Sequence, residues 1–148
     1  MRQTALTSVL VLFTLAAFAV PDPMDGALGG AFDARKGALL VSPQESFAQA
    51  PITLECRVKI LGHSKYNILA ANEPKSSATH WEVFTTPGDG TLHAYVPGRT
   101  PDHVHTTKVI SDGQWHWIAM MMEEKRIRLL VDGVEVAGRP GHVAYHPQ

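Results

Sequence analysis

Two histidines one residue apart, His103 and His105, follow Asp102 directly. In an extended chain the side chains alternate in direction, so both imidazoles project from the same side. That arrangement can begin a metal site, but a metal centre takes three or four ligands and this stretch supplies two. The alternative is a polar loop carrying exposed imidazoles. Sugar recognition is a second chemistry open to these residue types. Trp81 or Tyr95 can stack on a sugar ring, and Asn72, His80 and Asp102 can hydrogen-bond its hydroxyls, with His103 beside them. The candidate ligand-binding set is therefore Asn72, His80, Trp81, Tyr95, Asp102 and His103. Trp81 also has a core reading, because it opens the run Trp81-Glu82-Val83-Phe84 and large aromatics usually bury. No Ser/His/Asp order, nucleophile elbow, phosphate-binding loop or G-x-G-x-x-G is present, so no catalytic residue is expected.

These residues sit on two polar stretches, 72–81 and 95–103, which must be held by the segments between them. Those segments have period 2. Ile52, Leu54, Cys56, Val58 and Ile60 fall on one face of an extended run, and Thr53, Glu55, Arg57 and Lys59 on the other. That is a half-buried strand. Further strands are expected at Gly37–Val41, Tyr66–Ala71, Trp81–Thr86, Thr91–Val96, Thr106–Ile110, Trp115–Met122, Ile127–Val131 and Val134–Ala137. Pro87-Gly88-Asp89-Gly90, Asp112-Gly113 and Asp132-Gly133 punctuate them. An Asp-Gly pair between alternating runs is a strong hairpin signal, because the turn needs positive φ. No capped helix is visible. The expected fold is an all-β antiparallel sandwich or barrel, with rigid loops at its rim as the natural place for a ligand.

The formal net charge of −1 points to neither nucleic acid nor an anionic membrane surface. Residues 1–19 read as an export signal, with Arg2, an apolar Ala5–Phe18 stretch and a small-x-small Ala17-Phe18-Ala19 ending. Val20-Pro21-Asp22-Pro23 follows, within a short linker over 20–28. The apolar stretch is short for a membrane span, and no other segment could cross one. Export, to the exterior or the periplasm and cell envelope, is expected. The single cysteine, Cys56, leaves no internal disulfide and lies on the apolar strand face, where it reads as a small inert hydrophobe.

Ser111-Asp112-Gly113-Gln114-Trp115-His116-Trp117-Ile118-Ala119, followed by Arg128-Leu129-Leu130-Val131-Asp132-Gly133-Val134-Glu135-Val136-Ala137, resembles the laminin G-like members of the concanavalin A-like lectin/glucanase superfamily. Upstream, Gly37–Val41 and Ile52–Lys59 resemble the family's F/L-T-L/I-E-x-W-V/F-K strand, with Cys56 and Arg57 in place of its usual small residue and Trp. The resemblance covers roughly Gly29 to Arg139 and implies a jelly-roll sandwich over 29–148. Trp115, Trp117 and Ala119 then share one strand face, and the indoles are expected to help build the sandwich. The superfamily's glucanases carry E-x-D-x-x-E carboxylates on one strand. Glu45, Glu55, Glu73, Glu82, Glu123, Glu124 and Glu135 do not repeat that spacing, so a glycosidase is not expected. Some relatives bind calcium through loop acids, for which Asp89, Asp102 and Asp112 are the counterparts; otherwise no cofactor is expected. The usual closing strand after the V-D-G hairpin is not recognisable, which implies a piece of a longer polypeptide or a sandwich with an open edge. The functional expectation is an exported, non-catalytic recognition module for carbohydrate or a protein partner. The alternative is a structural accessory domain of a larger exported enzyme.

Overall fold

The computed structural model describes residues 31–140, 142 and 143. The expected export signal over 1–19 and linker over 20–28 lie outside the described residues. The chain divides into two units, Met1–Val41 and Ser42–Gln148.

In the described part of the first unit, Asp33 accepts from the Arg35 backbone N–H and from its guanidinium, closing a single 3-10 turn over Ala34–Lys36. The strand expected at Gly37–Val41 does not form; the segment is irregular, and Leu40 is 90 % exposed. A short apolar run without alternation carries no register, and no strand among the described residues pairs with it.

The second unit is nearly all β. Its strands are β1 (Ile52–Lys59), β2 (Asn67–Asn72), β3 (Trp81–Thr85), β4 (Thr91–Tyr95), β5 (Arg99–Thr100), β6 (His103–Val109), β7 (Trp115–Met122), β8 (Arg126–Val131), β9 (Val134–Pro140) and β10 (His142–Val143). They make two four-stranded antiparallel sheets, ordered β1-β7-β8-β9 and β2-β3-β4-β6, and a short β10-β5 pair. The two larger sheets stack as a sandwich. Trp81, Val83, Leu92, Ala94 and Val104 meet Ile118, Met120, Met122, Ile127, Leu129 and Val131 between them, and Ile60, Val96 and Ile110 close the ends of the core. Full burial of a side chain such as Leu92 or Leu129 contributes roughly 1.5–3 kcal/mol before entropy is counted.

The alternation in β1 is realised: Ile52, Leu54, Cys56 and Val58 are half-buried against the core and the residues between them are exposed. Burial pushes the Cys56 thiol up to about 11, which leaves it protonated and unreactive at neutral pH. In β7 the inward face is His116, Ile118, Met120 and Met122, and the two indoles lie on the other side, half-buried. The core role expected for Trp115 and Trp117 is thus corrected. Directly opposed strand residues share a face. Cys56 lies opposite Ile118, which puts Ile118 inside, while Trp117 and Trp115 lie opposite the outward Arg57 and Lys59. The β8–β9 hairpin turns on Asp132 (φ 50°) and Gly133 (φ 81°), the two positive values that a tight hairpin matching strand twist requires.

Candidate functional site

The outer face of the β2-β3-β4-β6 sheet is unusually rich in aromatic and titratable side chains. Register dictates this. Glu82 lies opposite Ala71 on one side and Tyr95 on the other, and Tyr95 lies opposite His103. One row along, Phe84 lies opposite Ile68 and His93, and His93 lies opposite His105. Two rows of outward side chains, Ala71-Glu82-Tyr95-His103 and Ile68-Phe84-His93-His105, therefore run across four strands. The β-bulge at Ile68/Ala70 preserves this phase, keeping Ile68 outward and Ala70 inward.

In the first row the Tyr95 and His103 rings pack with centroids 4.4 Å apart, and His103 Nδ1 lies 3.1 Å from Asp102 Oδ1. Glu82 is 3 % exposed, and its carboxylate meets Lys75 Nζ at 2.7 Å. Lys75 also lies 6.0 Å from the centre of the Tyr95 ring. The cover over this row is the 73–79 loop. Its Glu73 carboxylate accepts from the hydroxyls of Ser77 and Thr79 and is held below the usual carboxylate range by them. His80, 2 % exposed, contacts the carbonyls of Asn72 and Glu73 through Nδ1, at 2.8 and 2.9 Å. Both partners only accept, so Nδ1 carries a proton. His80 Nε2 faces Glu82 Oε2 at 3.7 Å and has no hydrogen-bond partner among the described residues.

The second row is an imidazole pair beside a phenyl ring. His93 Nδ1 and His105 Nδ1 are 3.0 Å apart, with ring planes at 89°. His103 stacks on His105 with centroids 5.5 Å apart, and Phe84 lies between Tyr66 and His93. Burial first, and the neighbouring His105 second, hold His93 below the ordinary imidazole range.

Of the sequence-derived candidates, this face gathers His80, Tyr95 and His103, with Asp102 at its edge. It does not gather Asn72 and Trp81, which lie directly opposite each other on the inner side. Trp81 is in the core and donates its indole N–H to the Phe47 carbonyl at 2.7 Å, so its ring face is not presented at the surface. Asn72 donates to the Thr79 carbonyl and ties down the loop. The two polar stretches also meet in a small cleft lined by Ala78, Thr79, His80, Pro97, Gly98 and Arg99. There the Arg99 guanidinium is already committed to the carbonyls of Glu123 and Glu124. Glu82, Lys75 and His93 were not among the candidates, whereas His105 was weighed with His103 as a metal-ligating pair, and the two rings stack at 5.5 Å. The alternation of His93 and Tyr95 in β4 was the signal that could have found His93. The loop acids are engaged separately: Asp89 with Thr86 and Thr91, Asp102 with His103, Asp112 with His116 and Gln114. Among the described residues no three His, Cys, Asp or Glu side chains converge into a metal cage.

The family model described as the concanavalin A-like lectin/glucanases superfamily, in its third laminin G form, matches residues 33–148. Comparison with curated proteins returns no match. Among solved structures, the LG4-5 domains of the mouse laminin alpha1 chain align with a TM-score of 0.47 and 19 % identity, over 67 % of this chain and 25 % of that one. The chain thus spans about a quarter of that neighbour's length. With its two antiparallel sheets and the family match over most of its length, the chain belongs to the laminin G-like domains of the concanavalin A-like lectin/glucanases superfamily.

Proposed function

We propose that the chain is an exported, non-catalytic recognition module of a larger extracellular polypeptide. Its ligand is a carbohydrate lying across the outer face of the β2-β3-β4-β6 sheet. Laminin G-like domains are ligand-binding modules, generally extracellular, with protein or carbohydrate partners, and a lectin-type sandwich of this kind typically carries no catalytic machinery. No helix among the described residues is long and apolar enough to cross a membrane.

The observation that carries the choice of carbohydrate is Tyr95. Its half-buried ring is fixed between His103, 4.4 Å away, and the Lys75–Glu82 ion pair. A sugar lying along this row meets the exposed part of that ring, the His103 imidazole beside it and rigid donors and acceptors around them. The 73–79 loop is stapled by its own hydrogen bonds, so little ordering entropy is lost on binding. Asp102 and His103 then serve as hydrogen-bonding groups beside the exposed part of Tyr95, while buried His80 acts from beneath by holding the 73–79 loop.

A glycan array with the mature chain tests this, using Tyr95→Ala as the partner sample. The expected result is retention of one glycan class by the native chain and its loss in Tyr95→Ala. Absence of any retained glycan at about 1 mM, a weak affinity on any scale, rejects carbohydrate and leaves a protein partner as the ligand class.

A further inference from the structure

We propose that His93 and His105 chelate a late divalent transition metal, copper(II) or nickel(II), on the outer face of the β2-β3-β4-β6 sheet. The two residues lie directly opposite each other on adjacent strands, so the backbone ladder sets their spacing. His93 is buried and fixed; His105 is exposed and gives the ion its entry.

Proton bookkeeping shows that His93 offers a bare nitrogen on the correct side. The Asp89 carboxylate only accepts, and Thr86 donates its hydroxyl proton to it. Thr86 Oγ1 is then the acceptor in its 2.9 Å contact with Thr91 Oγ1, so Thr91 donates to Thr86. Thr91 Oγ1 in turn is the acceptor in its 2.8 Å contact with His93 Nε2. His93 therefore carries its proton on Nε2 and accepts at Nδ1 from His105 Nδ1–H; when the ion binds, His105 passes that proton to solvent and takes one up at Nε2, so that both Nδ1 lone pairs turn to the metal. An outer relay that fixes the tautomer and ring angle of an imidazole is what metal-ligating histidines use, and here it reaches a carboxylate through two hydroxyls. Gly90, at φ 67°, lets the chain turn between Asp89 and Thr91 so that both reach the relay.

The spacing also selects the ion. With metal–nitrogen bonds of about 2.0–2.1 Å, nitrogens 3.0 Å apart subtend roughly 90–100°. That is the cis angle of a square-planar or octahedral centre, whereas a tetrahedral ion would need about 3.4 Å. Two nitrogen ligands at a right angle suit copper(II) and nickel(II), and the general affinity order favours copper(II). Solvent, or a donor from a bound ligand, completes the coordination of this open two-imidazole site.

Calorimetric titration of the untagged chain with nickel(II) and copper(II) chloride near neutral pH, with no glycan present, tests the site independently of the lectin reading. One ion per chain is expected, with copper(II) tighter than nickel(II) and nitrogen hyperfine structure in the copper resonance spectrum. His105→Ala, an exposed change that leaves the core untouched, is expected to weaken binding about tenfold or more, while His63→Ala leaves it unchanged. A weakening of less than about tenfold in His105→Ala, an equal loss in His63→Ala, or no saturable binding below about 1 mM overturns the proposal.

Discussion

His116 Nδ1 lies 2.8 Å from Asp132 Oδ2, and the same imidazole reaches Asp112 through Nε2 at 3.1 Å. One histidine thus ties together the turn before β7 and the turn after β8, and Asp132 Oδ1 further accepts from the Trp117 backbone N–H at 2.9 Å. The Asp-Gly corners and the Trp-His that follow the first are one hydrogen-bonded unit.

Burial alone would lower the His116 pKa, but the hydrogen bonds to Asp132 and Asp112 outweigh it and hold it above the ordinary imidazole range. Both aspartates are held below the usual carboxylate range, Asp132 mainly by His116 and Asp112 mainly by the Gln114 backbone N–H. A raised imidazole stabilises the fold fully below its unfolded pKa of about 6.5 and loses that contribution as pH rises through the folded value. The lowered carboxylates contribute above about 3.9 and lose it as pH falls through their folded values. His116→Gln is therefore expected to cost about 1–3 kcal/mol between roughly pH 4 and 6.5. The difference from the native chain should shrink at higher pH. Denaturant melts across pH measure it; a pH-independent difference would refute the ion-paired imidazole.

Lys75 is 67 % exposed, yet it is the cation on a carboxylate that is only 5 % exposed. Removing it strands a buried charge, and a stranded charge costs more than a surface pair contributes. Lys75→Ala is expected to lose about 1–3 kcal/mol. Glu82→Gln in the same chain should recover most of that loss, because the amide needs no counter-charge. Equilibrium unfolding of the two single variants and the double variant gives the coupling directly.

Gly90 combines φ 67° with a tight wall, since a Cβ there would stand 2.7 Å from Ser111 Cβ. The left-handed backbone costs a side chain roughly 1–2 kcal/mol and the overlap about 1–3 more. Gly90→Ala is expected to lower stability by about 2–5 kcal/mol in thermal unfolding. Gly133→Ala, at φ 81° with nothing near its Cβ, should lose only the backbone part.

Much of the sandwich was legible because its signals are local. Alternation placed β1 and β7 to within a residue, and Asp132-Gly133 marked its hairpin. Gly37–Val41 failed as a strand because a short apolar run says nothing about whether a partner exists. The inward face of β7 was misread for a related reason: two indoles outweigh Ile118 and Met120 in apolar bulk, but pairing with Cys56 and Leu54 decides the phase. The outer face of the second sheet was half legible. His93, Tyr95, His103 and His105 each showed their phase within a strand, but contact between β4 and β6 residues depends on register across a connection containing β5, which no local pattern states. Buried Glu82 was hidden because its cover, Lys75, comes from a loop folding back over the strand.

Amide NMR titration with the glycan selected on the array locates the ligand relative to Tyr95 and the outer face of the β2-β3-β4-β6 sheet. A ligand lying across Tyr95 gives shifts concentrated at Glu82, His93, Tyr95 and His103 that vanish in Tyr95→Ala. Shifts centred instead on Gly98 and Arg99 or on the indole face of β7, or undiminished binding by Tyr95→Ala, would contradict it.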